Sequence, residues 1–375
     1  MSAERGALTV GDERDVVVGP VAHGGHFIAH SDDRTLFVRH TLPGERVRVR
    51  VTEVTSRIVR ADAIEILDPS PDRVPAPCPW SGPGLCGGCD FQHVSLVAQR
   101  RLKTQVLRES LQRFGGIAAD DAVLAVEVTE LPGSPDGLRW RTRMTWASAL
   151  DGSRGLRRHR SHDVIAVDDC LIAEAVVSRP DAPPRGKIAR TVRVRTWRIG
   201  DGDFWQVHPA LPEALVESVL EFGLPRPGQV WWDLYAGAGL FSAFLGEAVG
   251  PGGSVEAVET SFIALRTARR ALHDLPNVHL HGADVGAWLS VTHGQPPDGV
   301  VLDPPRAGAG ARIVDAIARW GRPTVVYVAC DPVALARDIS LFAGHGYRLE
   351  ALRAFDAFPM THHLETVALL LPASA

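Results

Sequence analysis

The sequence predicts a mixed α/β protein. A C-terminal doubly wound, Rossmann-like domain follows an N-terminal OB-like β-barrel and a small β-rich central region. Two observations carry this. Residues 14–67 alternate apolar and polar positions at period two, broken by Gly, Pro and Asp turns, as five or so short barrel strands would. After Phe204 the apolar runs WWDLYA, SVEAVE, GVVLDPP and TVVYVAC alternate with helical stretches such as FIALRTARRALHDL and ARIVDAIARW, the pattern of a mostly parallel sheet. At 375 residues, 45% apolar and 22% charged, two or three domains are expected. The boundaries fall at 1–70, 71–200 and 201–375.

The elements follow in order. DPSPDRVPAPCP, residues 68–79, is too rich in proline to continue a strand and reads as a linker. Residues 94–115 carry apolar positions at helical spacing and stop at Gly115-Gly116, where a helix C-cap is expected. From about 125 to 200 short strands return with arginine-rich turns, and 179–187 reads as a loop.

No run approaches the ~20 apolar residues of a membrane span, so no membrane association is expected. The first residues, MSAERGALTVGDERD, lack an apolar secretory core, which predicts a cytoplasmic protein. A monomer is expected. A net charge of −4 gives no global signature of nucleic-acid binding. Locally the balance differs. Between Arg139 and Arg160 seven arginines face one acidic residue, Asp151, with Trp140, Trp146 and His159 interleaved. Such a strip suits RNA phosphates and stacked bases, although a solvated arginine-rich hairpin would read the same way.

Five cysteines are too few, and odd in number, for a disulfide framework. Cys78, Cys86 and Cys89 form a C-x7-C-x2-C set, and Cys170 follows 81 residues later. Glycines in CGGC would allow a positive-φ turn that aims two thiolates at one centre. Four thiolates suit zinc or an iron–sulfur cluster, and spacing leans towards the cluster without excluding zinc.

In WWDLYAGAGLF, Asp233-Leu234-Tyr235 ends a strand, and Gly237 and Gly239 let backbone amides approach an adenosyl ligand. Ser242 stands where a dinucleotide fingerprint would need a third glycine. Glu259 ends the next strand and is placed to accept from ribose hydroxyls; Asp284 could approach the adenine. Together these predict a site for S-adenosylmethionine (SAM). Asp303-Pro304-Pro305-Arg306 and Cys330 lie at further strand ends, where ligands collect in open α/β sheets. Cys330 is the one thiol left after the four candidate ligands. His362, His363 and Glu365 each offer a general base before the last apolar strand.

In family order, GPVAHGGHFIAH, LPGERVRVRV, PSPDRVPAPC, CGGCDFQH, SHDVIAVDDC, FWQVHP, DLYAGAGLF, VLDPPRAG, ACDP and FPMTHHLE resemble the class I SAM-dependent RNA uracil-C5 methyltransferases that make 5-methyluridine in 23S rRNA and tRNA. The resemblance covers nearly the whole chain. It implies a TRAM-like barrel and a [4Fe-4S] cluster on Cys78, Cys86, Cys89 and Cys170. It also implies SAM contacts from Gln206, Tyr235, Glu259 and Asp303, with Asp284 less firmly carried. Cys330 matches the nucleophile and Glu365 the base. The helix at 94–115 would pack with the C-terminal domain. The cluster favours an rRNA substrate over the tRNA T-arm, because the tRNA-directed enzymes often lack one. The chain departs from the family at His208, Asp331 and Ala236; His208 and Asp331 are expected to flank the substrate. The competing readings are an exocyclic-amine methyltransferase, which has no use for Cys330, and a non-catalytic RNA-binding iron–sulfur protein.

Overall fold

The computed structural model describes residues 8–31, 34–149, 151–182, 186–200, 203–292 and 294–373. The chain divides into two compact units. The first gathers residues 1–106, 134–182 and 358–363; the second gathers 107–133, 183–357 and 364–375.

In the first unit, Glu13–Ala22, His26–Ser31, Arg34–Arg39, Arg46–Val54 and Val59–Asp68 close a five-stranded barrel in the spatial order first, second, third, fifth, fourth. Alternation explains the closure. Val16, Val18, Phe27, Leu36, Val38, Val47, Val49 and Val59 point inward and are at most 4% exposed, while alternating residues such as Arg46, Arg48 and Arg50 are more exposed. The linker is anchored rather than loose. Glu45, fully buried, accepts Arg73 Nε at 2.6 Å and the amides of Leu42 and Ser70. A small three-stranded sheet, Ala147–Ser148, Arg154–Arg157 and Val164–Ile165, also belongs to this unit.

The second unit is built on an eight-stranded sheet. Its order is Val278–Gly282, Ser254–Glu259, Val230–Leu234, Gly299–Leu302, Thr324–Ala329, Glu365–Pro372, Tyr347–Asp356 and Val128–Glu130. The first five run parallel, and Glu365–Pro372 is antiparallel to its neighbours on both sides. Near-continuous apolar runs such as Val300–Leu302 and Val325–Val328 are fully buried, as strands covered on both faces must be. Val128–Glu130 and the hairpin Ile188–Val192/Arg195–Ile199 fall in the second unit. The loop expected at 179–187 lies partly outside the described residues.

The helix Leu96–Gly115, which the resemblance attaches to the C-terminal domain, is shared between the two groupings, 96–106 with the first and 107–115 with the second. Ala98 and Leu102 join the barrel core, and Leu107 and Leu111 join the core of the sheet. Its apolar positions before and after Val106 are claimed by different cores, which periodicity alone does not reveal.

Candidate active site and cysteine cavity

The parallel strands deliver their following residues to one edge of the sheet. Leu234 and Tyr327 are both register partners of Leu302. Tyr235, Asp303 and Cys330 therefore leave three neighbouring strands at the same end, where Glu259 also stands. Glu365 reaches that edge by the opposite logic. It is the first residue of an antiparallel strand, and the start of such a strand lies beside the end of its neighbour. Thr366 pairs with Ala329, which brings Glu365 and Cys330 side by side.

Tyr235 turns the chain into the glycine loop with φ +69, an uncommon conformation for an aromatic residue and one often found at ligand sites. Gly239, at φ +78, has no room for a Cβ, which would lie 2.7 Å from Leu272 Cδ1. The helix Leu240–Val249 starts there with no side-chain bond from its N-cap residue, Gly239. Glu259 organises the loop, accepting Gly237 N at 2.9 Å on one oxygen and Ser261 N at 2.6 Å on the other. Each carboxylate oxygen keeps capacity for a further donor.

Three carboxyl groups at this edge, besides Glu259, have raised pKa values. Asp233 is fully buried and accepts the amide and hydroxyl of Ser242 at 2.8 and 2.5 Å on Oδ2, while its Oδ1 is buried without a partner. Burial raises Asp233 to about 6 against the pull of Ser242. Burial, then Asp233, raise Asp303 to about 7. Glu365, 3% exposed, is pushed well above the usual carboxylate range by burial and then by Asp303, with Arg306 opposing. Burial and then Glu365 raise the Cys330 thiol to about 12, although the residue is only partly buried. Buried acids opposed only in part by Arg306, one oxygen of them orphaned, form a receptor suited to a cationic ligand.

Some expected site residues also serve their own backbone, although Asp331 still acts on the Cys330 thiol and Asp284 on Tyr235. Asp331 caps the helix Pro332–Gly344 by accepting Val333 N and Ala334 N at 3.0 and 2.9 Å. His208 is 1% exposed, accepts Ala210 N on Nδ1 at 3.2 Å, and is lowered to about 4 by burial. Both departures from the family pattern thus serve their own backbone. Asp284 likewise caps Val285–Val291, with Arg312 at 3.3 Å. Gln206 is half-buried in the loop before Leu211–Gly223. His362 and His363 group with the first unit and Glu365 with the second.

Sequence reasoning missed a support for the Asp303 loop. Tyr327 donates to Asp338 Oδ2 at 2.5 Å and accepts Ala309 N at 3.0 Å; Asp338 also accepts Ala309 N at 2.7 Å. A lone buried acid in the amphipathic helix ALARDI was the available signal.

In the first unit, Cys78, Cys86, Cys89 and Cys170 line one cavity of about 470 Å³, with Arg141 and Trp146. All are free thiols. Gly88 N donates to Cys86 Sγ and Gln92 Nε2 to Cys89 Sγ, both at 3.4 Å. Such donors favour the thiolate form needed by a metal centre. Among the described residues no three His, Cys, Asp or Glu side chains converge on a single ion. Four thiols lining one cavity are a donor set that suits zinc or an iron–sulfur cluster. The glycines of CGGC differ from expectation, since neither has positive φ. Gly87 is small because a Cβ there would lie 2.6 Å from His159 Cα.

The arginine strip is also more structural than its composition suggests. Trp140 is 1% exposed and packs edge-on against Phe358, so it is no stacking platform. Arg139 forms a two-pronged bridge to Asp169. Arg143, Arg154, Arg157, Arg158 and Arg160 remain exposed.

A Rossmann-like sheet with a glycine loop, acidic strand ends and a barrel at its N-terminus defines a class I SAM-dependent methyltransferase carrying an RNA-binding module. Family models match at residues 7–64, the TRAM domain, and at 296–372, described as tRNA (Uracil-5-)-methyltransferase. An uncharacterized RNA methyltransferase of Streptomyces avermitilis is 42% identical across 97% of this chain and 99% of its own length. The 23S rRNA (uracil(1939)-C(5))-methyltransferase RlmD of Alkalilimnicola ehrlichii is 30% identical, covering 94% of this chain and 95% of that protein. Among solved structures, the Pyrococcus abyssi tRNA (uracil-54, C5)-methyltransferase with S-adenosyl-L-homocysteine shares the fold: TM-score 0.69, 21% identity, 95% of this chain and 99% of that one. The chain belongs to the SAM-dependent RNA uracil-C5 methyltransferase family. Among the described residues no helix is long and apolar enough to cross a membrane.

Proposed function

We propose that the protein methylates a uridine of 23S rRNA at C5, with Cys330 as nucleophile and Glu365 as base. The observation that carries this is the placement of Cys330, Glu365 and Asp303 on one sheet edge, with Asp303 acting on Glu365 and both carboxyls acting on the Cys330 thiol. C5 of uracil is too weak a nucleophile to be methylated directly. Cys330 adds its sulfur to C6, which moves the C5–C6 π pair onto C5 and O4 as an enolate. SAM, when bound, supplies a methyl group on a sulfonium that this enolate carbon can take. Glu365 then removes the C5 proton, the ring double bond re-forms, and Cys330 leaves as thiolate.

At neutral pH the Cys330 thiol is protonated, held there by burial and the neighbouring carboxyls. Cationic charge entering the acidic pocket would lower the cost of the Cys330 thiolate. SAM would be held by Gln206, Tyr235, Gly237, Gly239, Glu259 and Asp303, with Asp284 at the rim.

Cys78, Cys86, Cys89 and Cys170 would hold a [4Fe-4S] cluster, whose role in a redox-neutral reaction is structural. The rRNA assignment is supported by the A. ehrlichii relative and by this cysteine set; the exposed arginines of 143–160 would meet phosphates. The target must leave its stack to meet sulfur and methyl donor together.

The test is direct. Cys330→Ala abolishes methylation and covalent trapping by 5-fluorouridine RNA, and a deletion strain lacks one 5-methyluridine in 23S rRNA. A mutant lacking that thiol but still methylating uridine would overturn the proposal, and loss of the mark from tRNA instead would overturn the substrate.

A further inference from the structure

Just after Cys89 the chain packs onto the barrel. Phe91, Gln92, His93 and Val94 are all buried, none more than 7% exposed. Phe91 lies against Phe27 of the barrel core, with ring centroids 6.2 Å apart. His93 Nε2 donates to the carbonyl of Thr41 at 3.0 Å, and the carbonyl of His93 accepts Val74 N at 3.0 Å. Gln99 Nε2 donates to the carbonyls of Phe91 and Val94 at 3.1 and 2.9 Å. Every residue in these contacts belongs to the first unit, as do the four candidate ligands Cys78, Cys86, Cys89 and Cys170.

Gln92 is thus fixed from both sides, and its side chain lines the cysteine cavity. Its Nε2 donates to Cys89 Sγ at 3.4 Å, while its Oε1 is buried with no partner among the described residues. A buried amide with one end unsatisfied costs stability that an apolar side chain of the same size would not. Packing therefore gives no reason for a glutamine here, whereas the sulfur does. With the amide turned round, oxygen would face sulfur, a contact that suits only a protonated thiol. We infer, on the reading of the four cysteines as a [4Fe-4S] site, that Gln92 is a positioning residue for the cluster, its amide donating to the Cys89 sulfur to retain the cluster and ease its reduction. A donor to a ligating thiolate orients it and draws electron density from it, which offsets the extra negative charge of the reduced cluster.

Such a residue has a different signature from a packing group. Gln92→Leu and Gln92→Met both remove the donor at similar volume but in different shapes, so an effect they share belongs to the lost N–H. The full-length proteins are reconstituted anaerobically with iron and sulfide. Both variants should retain iron about ten- to a hundredfold less well than wild type against a ferrous chelator, the usual scale for a lost partner of a metal ligand. Their reduction midpoint, read by absorbance in a dithionite titration, should move to a more negative potential. Without metal, both should melt at or above the temperature of metal-free wild type, because the orphaned Oε1 is gone.

Iron retention or a midpoint equal to wild type in both variants overturns the inference. So does iron loss that comes with a lower melting temperature of the metal-free chains, which would make Gln92 a strut of the fold. The wild-type protein separates the two levels. If it takes up acid-labile sulfide with its iron, such results count against Gln92 alone and the cluster reading stands. If it holds zinc and no sulfide, the cluster reading fails and takes this inference with it.

Discussion

Thr366 donates its hydroxyl to the carbonyl of Ala329 at 2.8 Å, in the fully buried register pair that precedes Cys330 on one strand and follows Glu365 on the other. This bond locks the relative height of nucleophile and base, so a one-residue slip between these strands would separate them and send side chains to the opposite face.

Thr366→Val keeps the shape and removes that donor, leaving a buried carbonyl short of its partner. Stability should fall by about 1–2 kcal/mol in urea unfolding. Methylation should slow more than SAM binding weakens. Unchanged kcat with an unchanged melting curve would show that the strand pair needs no such lock.

The raised Asp233 and Asp303 predict how SAM binding responds to pH. With values of about 6 and 7, both are largely protonated at pH 5, and a cation needs them ionised. Affinity for SAM should therefore tighten from pH 5 to pH 8 and then level, with net proton release on binding. Calorimetry in two buffers of different ionisation enthalpy reads this out; a pH-independent Kd without proton release would refute it.

Stability should respond oppositely in the two units. Burial lowers His26 and His93 to about 4 and His40 to about 3, so the unfolded chain binds protons that the folded barrel refuses. Their contribution is complete above about pH 6.5 and is lost as pH falls towards 4. Asp233 and Asp303, raised on folding, contribute most below about pH 4 and lose that contribution as pH climbs through 6 to 7. Hydrogen exchange at pH 5 against pH 7.5 should show the barrel amides deprotected first in acid. Preferential loss of the sheet amides would contradict the assignment.

Cys330 should be a sluggish thiol in the free protein. With its ionisation near 12, alkylation by iodoacetamide should rise about tenfold per pH unit from 7 to 10 without a plateau. Peptide mass spectrometry identifies the residue, and a plateau near pH 8 would mean the thiolate is already formed at rest.

Tyr327→Phe removes the hydroxyl that joins Asp338 to Ala309 N, a cost of about 1–3 kcal/mol for buried groups left short of partners. The loss should loosen the loop carrying Asp303 and weaken SAM binding, measured by unfolding and titration on the same preparation. An unaffected Kd would detach this network from the ligand site.

Sequence alone determined the barrel, the parallel sheet and the strand-end positions of Tyr235, Glu259, Asp303 and Cys330, because period-two alternation, buried apolar runs and glycine turns are local properties of the chain. It also marked the cysteines, whose spacing survives any packing. Only the tertiary structure decided which partners polar groups found. Asp331, Asp284 and His208 turned to their own backbone, Trp140 entered a core, and Gly87 proved small because His159 packs against it. The division of the helix Leu96–Gly115 and the grip of Asp90 on His362 are of the same kind. Hydrogen-bond satisfaction and close packing join residues up to 272 positions apart, and no pattern read along the chain records which distant atoms will meet.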